Sequence, residues 1–351
     1  MFEDQLGVAP MTIRSTGMKG SLRRVFTAAV AWVPAVALVA LSTVAAAPAG
    51  ATGGSYAGSA SSTAPAAVLP HTTTPTHFVW RATANSVSNL TCTNCTIINN
   101  AATNGNPNAV IFVQHNWNPH GICSCIYQLA PVGVWYDSSL SKWVIFTEDD
   151  SSVQQGQTFN VLVVPHQTTT AFQVTANAGN IKNDSMYINH ANTLGAPNDK
   201  LMVTQLLETP PSGPSIVYNN DGIGVIYQLN TQSWGIYNDV HFHNMPLGAS
   251  FNVMVNAGSS GGGTSKIQVT TASTQYADGA RIQSPVTTGD ANATVFATEN
   301  FNPYGVGGLH GGTGDAVLTG VYYSLNHWLV YNEDQTTPPI NSAFNVLLFP
   351  N

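Results

Sequence analysis

One phrase occurs three times in this chain, and that repetition limits what it can fold into. Residues Val132–Val164 read VGVWYDSSLSKWVIFTEDDSSVQQGQTFNVLVV. The phrase returns as GVIYQLNTQSWGIYNDVHFHNMPLGASFNVMV, ending at Val255, and as GVYYSLNHWLVYNEDQTTPPINSAFNVLLF, ending at Phe349. Trp143, Trp234 and Trp328 are spaced by 91 and 94 residues, and the Phe-Asn-Val triplets beginning at Phe159, Phe251 and Phe344 by 92 and 93. A period of this size marks a tandem array of one domain.

Within each copy the apolar residues come in short runs rich in Val, Ile, Phe, Tyr and Trp, broken by Asn, Gly, Pro and Ser, and no stretch sustains a helical period. In the first copy the runs are Phe78–Thr83, Thr96–Ile98, Ala109–His115, Val132–Tyr136, Trp143–Thr147 and Phe159–Val164. A single sheet of about six such strands would leave one apolar face in water, so each copy is expected to close on itself. The expected class is therefore all-β, as three tandem small antiparallel β-sandwich or barrel-like domains at residues 77–166, 171–257 and 265–351. Gly258-Ser259-Ser260-Gly261-Gly262-Gly263-Thr264 reads as a flexible linker. It predicts that the third copy, Ser265–Asn351, folds alone; one architecture in which the repeats share a core is the alternative.

Residues 1–51 read as a prefix and signal peptide. Lys19, Arg23 and Arg24 precede a mostly apolar stretch from Val25 to Ala47, and Ala49-Gly50-Ala51 supplies a small-x-small end. Cleavage after Ala51 and a secreted or cell-surface location follow. The apolar run exceeds the usual signal core, so an uncleaved membrane anchor is the alternative. Residues 52–76, almost wholly Gly, Ser, Ala, Thr and Pro, read as a flexible stalk, because they offer too little apolar surface to offset the entropy of ordering.

The chain carries 10 Lys+Arg against 17 Asp+Glu, a net charge of −7, and a product starting at Thr52 keeps six basic and fifteen acidic groups. A field of that sign disfavours nucleic acid and anionic membrane surfaces as partners. Charged residues make up only 8% of the chain. Asn, Thr, Ser, Gln and Gly carry the polarity instead, a composition suited to an extracellular β-rich surface whose hydroxyls and amides bond to turns, water or sugars.

The phrase resembles a family of exported bacterial repeat domains of unknown function, marked by a Gly-Val-Trp-Tyr strand, a Trp-x-Ile-Phe-Asn-x-Asp strand and a closing Gly-x-x-Phe-Asn-Val strand. These stand here as Gly133–Tyr136, Trp143–Asp149 and Gly156–Val161. The middle copy departs at Ile226 and Val240, and the third places Ser342 at the glycine position before Phe344. The resemblance spans nearly all of His77–Asn351 and implies no activity and no functional residue.

Four residue sets bear on chemistry. Cys92, Cys95, Cys123 and Cys125 occur only in the first copy; two short-spaced pairs suit a zinc tetrathiolate, but export favours disulfides. The expectation is two bridges joining the Cys92/Cys95 loop to the Cys123/Cys125 loop. Each copy has an acid five residues after its landmark tryptophan, Glu148, Asp239 and Glu333, and Asp149, Asp150 and Asp334 extend the outer clusters. Glu148, Asp149, Glu333 and Asp334 are candidate calcium ligands, against the plainer reading of a solvated strand end opening a turn.

The outer copies share Asn116-Trp117-Asn118-Pro119 and Asn300-Phe301-Asn302-Pro303. An aromatic flanked by amides can stack on a sugar while Asn116, Asn118, Asn300 and Asn302 bond its hydroxyls, or it can simply close one end of a sandwich. His241-Phe242-His243 offers two imidazoles on one face without a third ligand. No Gly-x-Ser-x-Gly elbow occurs, and the histidines fall at unrelated positions in the three copies. The reading calls for no catalytic residue and no cofactor. It points to an exported, non-enzymatic array that binds glycan or wall polymer with avidity, or else to a structural envelope or spore-surface protein that self-associates through sheet edges.

Overall fold

A computed structural model describes residues 74–87, 92–207, 216–240, 243–256, 262–306 and 317–351. The leader, residues 52–73 of the stalk, 258–261 of the linker, and His241 with Phe242 lie outside the described residues. The first repeat contains β1 (Thr76–Arg81), β2 (Cys95–Ile97), β3 (Val110–His115), β4 (Val132–Asp137), β5 (Lys142–Thr147) and β6 (Thr158–Val164). The second contains β7 (Ala171–Thr175), β8 (Ile181–Lys182), β9 (Ser185–Tyr187), β10 (Leu201–Leu206), β11 (Ile223–Gln228), β12 (Ser233–Asn238) and β13 (Ser250–Val255). The third contains β14 (Thr264–Val269), β15 (Gln275–Tyr276), β16 (Gly279–Arg281), β17 (Thr294–Asn300), β18 (Thr319–Ser324), β19 (His327–Asn332) and β20 (Ala343–Phe349).

Each repeat is an antiparallel sandwich. One leaf is three-stranded, in the orders β1-β6-β3, β7-β13-β10 and β14-β20-β17; the facing leaf is β2-β5-β4, β8-β9-β12-β11 or β15-β16-β19-β18. The landmark tryptophans are the largest side chains buried between the leaves. A buried indole N–H must find an acceptor, and the three repeats solve this alike: Trp143, Trp234 and Trp328 donate to the carbonyls of Asn106, Ala196 and Asp290 at 2.8, 2.9 and 2.9 Å. Tyr136, Tyr227 and Tyr323 meet those indoles edge-on at 5.6, 5.5 and 5.7 Å.

The sandwiches do not stand apart. Strand β10 pairs in parallel with β4 through Gln205↔Gly133 and Leu206↔Val134, and β11 pairs in parallel with β17 through Gly224↔Glu299 and Val225↔Asn300. A parallel bridge, Asn116↔Val321, joins the first repeat to the third. The second repeat thus leans on the first, the third on the second, and the first on the third, which closes a ring.

The middle strands of the three-stranded leaves explain the closure, because they are buried on both faces. Along β6, Phe159, Val161 and Val163 enter the sandwich core while Leu162 and Val164 turn the other way. In β20, Phe344, Val346 and Leu348 alternate with Leu347 and Phe349 in the same manner. The outward sets converge with Val110, Phe112, Met202, Met254 and Phe296 on one apolar cluster drawn from all three repeats. Ala67–Asn351 accordingly forms one compact unit. In the intact chain this is the alternative in which the repeats share a core: a glycine linker reports freedom in the connecting segment and says nothing about the edges and faces of the elements it connects.

The asparagine of each Phe-Asn-Val triplet locks the ring. Asn160 donates to the Val295 carbonyl at 2.8 Å, Asn252 to Ile111 at 2.8 Å and Asn345 to Leu201 at 3.1 Å. A second cycle runs from the Val113 N–H to Thr204, from Val203 to Thr298, and from Ala297 to Gln114, at 3.2, 3.1 and 3.0 Å. The turn before each triplet needs a left-handed residue, with φ of 97° at Gly156, 95° at Gly248 and 74° at Asn341. The glycine position before Phe344 is therefore Asn341 and not Ser342; asparagine is among the side chains that tolerate this region.

Candidate functional site

The amides expected to hold a sugar are spent inside the protein. Asn118 grips the backbone of Tyr323 with both side-chain atoms, accepting from its N–H and donating to its carbonyl at 2.7 Å each. Asn302 does the same to Tyr227, again at 2.7 Å in both bonds. Asn116 donates to Asn160 at 2.8 Å and Asn300 to Asn345 at 2.9 Å. All four are buried. Asn118 and Asn302 clip one repeat to the next, Asn116 and Asn300 bond within their own repeats, and only the aromatics between them, Trp117 and Phe301, stay partly accessible.

The candidate calcium ligands are not brought together. Successive residues leaving a strand face opposite sides, so Glu148 and Glu333 turn inward while Asp149 and Asp334 turn to solvent. Glu148 accepts the N–H of Asn219 in the second repeat at 3.1 Å. Glu333 accepts the N–H of Gln128 in the first repeat at 2.9 Å and meets His115 Nδ1 at 2.5 Å, with both side chains buried. Asp149 and Asp334 accept the N–H groups of Ser151 and Thr336, each two residues on, at 2.9 Å. The inward acids are clamps between repeats and the outward ones shape turns. Among the described residues no group of three or more His, Cys, Asp and Glu could hold a metal ion. His243 bonds Asp221 at 2.7 Å.

The cysteine expectation is corrected as well. Bridges form within the pairs, Cys92–Cys95 and Cys123–Cys125, with Cα separations of 5.7 and 5.0 Å. The pairs belong to different leaves: Cys95 opens β2, while the Cys123–Cys125 loop follows β3. There the N–H groups of Ser124 and Cys125 reach the Trp117 carbonyl at 3.2 and 3.3 Å, and the Ser124 hydroxyl donates to it at 2.6 Å.

That loop sets Trp117 into a cavity of about 140 Å³ at the junction of the first and third repeats, lined by Trp117, Tyr127, Asp278, Tyr322 and Tyr331. The ring centroids of Trp117 lie 5.9 Å from Tyr127 and 6.0 Å from Tyr322; those of Tyr331 lie 6.1 Å from Tyr127 and 5.3 Å from Tyr322. Tyr322 donates to the Asp278 carboxylate at 3.3 Å and Tyr331 to Glu333 at 2.8 Å. A side chain at position 320 would collide with the Tyr331 ring, so Gly320 leaves room for the fourth aromatic. Burial pushes the hydroxyls of Tyr127, Tyr322 and Tyr331 above the usual phenol range, and the Asp278 and Glu333 carboxylates add to the push. The Trp117 indole N–H is buried without a hydrogen-bond partner.

A second, polar cavity of about 90 Å³ lies where the repeats converge, with His115, Gln205 and Glu299 from equivalent strand positions and Asp239 and Glu333 beside them. Of the aromatic set, sequence reasoning singled out only Trp117. Tyr127, Tyr322, Tyr331 and Asp278 reach it from up to 214 residues away along the chain, and the repeated Gly-Val-x-Tyr phrase was the one local sign that aromatics gather at β18.

No curated protein and no solved structure matches the chain. The family known as DUF7452, a domain of unknown function, matches three times, at residues 61–163, 140–255 and 224–348. Its matches together cover most of the sequence, including every strand of the ring except the last residue of β20. The chain therefore belongs to the DUF7452 family of domains of unknown function.

Proposed function

We propose that this is an exported, non-enzymatic protein that binds a component of the extracellular surface, a glycan or wall polymer, and that it does so at the aromatic cavity around Trp117. The supporting observation is the cavity itself: four aromatic rings and a carboxylate held by two repeats, with a buried indole N–H that an acceptor on a ligand would satisfy. Pockets of this make-up, mostly apolar with a few placed polar groups, are where ligands are usually held. The charged and apolar leader and the paired cysteines support the extracellular assignment.

The avidity rationale gives way to a single site. The equivalent junctions carry Phe301 against Tyr237 at 5.9 Å and Tyr218 against Phe146 at 5.9 Å, but Ile226 stands where the third repeat has Tyr322, and Asn94 where it has Asp278. The test is retention of the secreted protein on insoluble wall polymer and immobilised oligosaccharides. Wild type is expected to be retained and Trp117→Ala lost, with an unchanged β-type circular dichroism spectrum. Retention that survives the substitution would sink the site assignment. Concentration-dependent assembly in sedimentation, with no retention, would point to the structural envelope role instead.

A further inference from the structure

We infer that the cavity between the first and third repeats is a cation cage that takes a quaternary or methylated ammonium group. The inference rests on the binding reading above and names the chemistry of its ligand. Aromatic rings present a negative quadrupole on their faces, and several of them around one cavity attract a desolvated cation. Trp117, Tyr127, Tyr322 and Tyr331 supply four such rings with successive centroids 5.3 to 6.1 Å apart. Asp278 lines the same cavity, and Glu333 lies behind it, reached through the Tyr331 hydroxyl at 2.8 Å. Among the described residues no lysine or arginine lines it.

Volume and hydrogen bonding select the kind of cation. The cavity of about 140 Å³ is several times the ~30 Å³ share of one water molecule, room for a trimethylammonium head and its first methylene. A primary ammonium would bring three N–H donors and a tight hydration shell. Glu333 already receives Tyr331, His115 and the Gln128 N–H, and Asp278 receives the Tyr322 hydroxyl, so the cavity offers a primary ammonium part of one carboxylate in place of its hydration shell. A methylated ammonium has few or no donors to satisfy, so it enters at less cost. The net charge of −7 over the whole chain favours the approach of cations.

The ring supplies its own comparison. At the junction of the second and third repeats Ile226 replaces an aromatic, and at that of the first and second Asn94 replaces the acid. The full set occurs at one junction among the described residues.

The test is calorimetric titration of the secreted, oxidised protein with tetramethylammonium and with choline, beside 3,3-dimethylbutan-1-ol, the uncharged isostere of choline. Both cations are expected to saturate one site. The isostere should bind at least about tenfold more weakly, the size of a desolvated cation–π contribution. Asp278→Asn should weaken choline by about tenfold with little change in melting temperature, and Trp117→Ala should abolish binding. Co-sedimentation with phosphatidylcholine vesicles would assign a lipid headgroup as the source, and binding of choline alone a free or polymer-borne one. An isostere that binds as well as choline overturns the cage. Trp117-dependent retention on oligosaccharides without choline binding overturns it while leaving the proposed function in place, and failure of both removes both.

Discussion

Glu148 directly follows β5, with its side chain turned into the junction of the first two repeats. Burial pushes its carboxyl up to about 8, against the opposing Asn219 N–H bond and with a further push from Asp150. Because the folded state holds this proton more tightly than the unfolded chain, its contribution is fully present below the unfolded value near 4.5 and is lost as pH rises through about 8. Glu148→Gln keeps an acceptor for Asn219 and removes the titration. Chemical denaturation from pH 5 to 8 should show wild type losing up to ~1.4 kcal/mol per pH unit from this group, and the variant losing correspondingly less; parallel profiles would refute the assignment. Trp328→Ala should cost roughly 3–5 kcal/mol, as large aromatic deletions in cores do, read from the denaturation midpoint. Burial of the landmark tryptophans was legible because their spacing recurs in all three copies. The roles of Asn116, Asn118, Asn300 and Asn302 were not, since an amide's appearance in sequence is the same whether it faces a sugar or the backbone of Tyr323 or Tyr227.

Elements were the most readable level, because strand period and turn residues are local properties. All six runs expected in the first copy are strands, within two residues at either end. The stretch Phe159–Val164, apolar except for Asn160, also bears on the ring, because a strand apolar on both faces has two apolar layers to cover. The cysteine pairs show the converse, because which leaf each loop joins depends on partners far along the chain. Cys123 and Cys125 are exposed whereas Cys95 is buried. Graded reduction with alkylation should therefore label Cys123 and Cys125 first, as peptide mass spectrometry would show, and linked peptides joining Cys92 or Cys95 to the other pair would contradict the arrangement. Such short bridges constrain little unfolded chain, so stability should fall by less than the usual ~2–4 kcal/mol. Ligand affinity should fall more, because the loop closed by Cys123–Cys125 holds the Trp117 carbonyl.

At the scale of the molecule, the central cluster of Val110, Phe112, Leu162, Met202, Met254, Phe296, Leu347 and Phe349 belongs to no single repeat. Ser265–Asn351 alone would expose Phe296, Leu347 and Phe349 and leave β17 without β11. It should be partly disordered or self-associated, and the intact chain should melt in one transition with matching calorimetric and van't Hoff enthalpies. A soluble, cooperatively folded monomer of that fragment would show the shared cluster to be dispensable. Closure also brings the first and last strands of the ring together: His77 of β1 stacks on Phe349 of β20 at 4.4 Å and its Nδ1 meets the Thr294 hydroxyl at 3.0 Å. A ring closed by three like joints has no privileged starting point. Circular permutants that fuse Asn351 to residue 74 and open instead at 166–170 should fold to the same far-ultraviolet spectrum. By the same logic a lone repeat carries both halves of a joint, so three separate copies could assemble around one axis; the present chain is what such a homotrimer becomes once its subunits are spliced end to end and one junction is free to diverge.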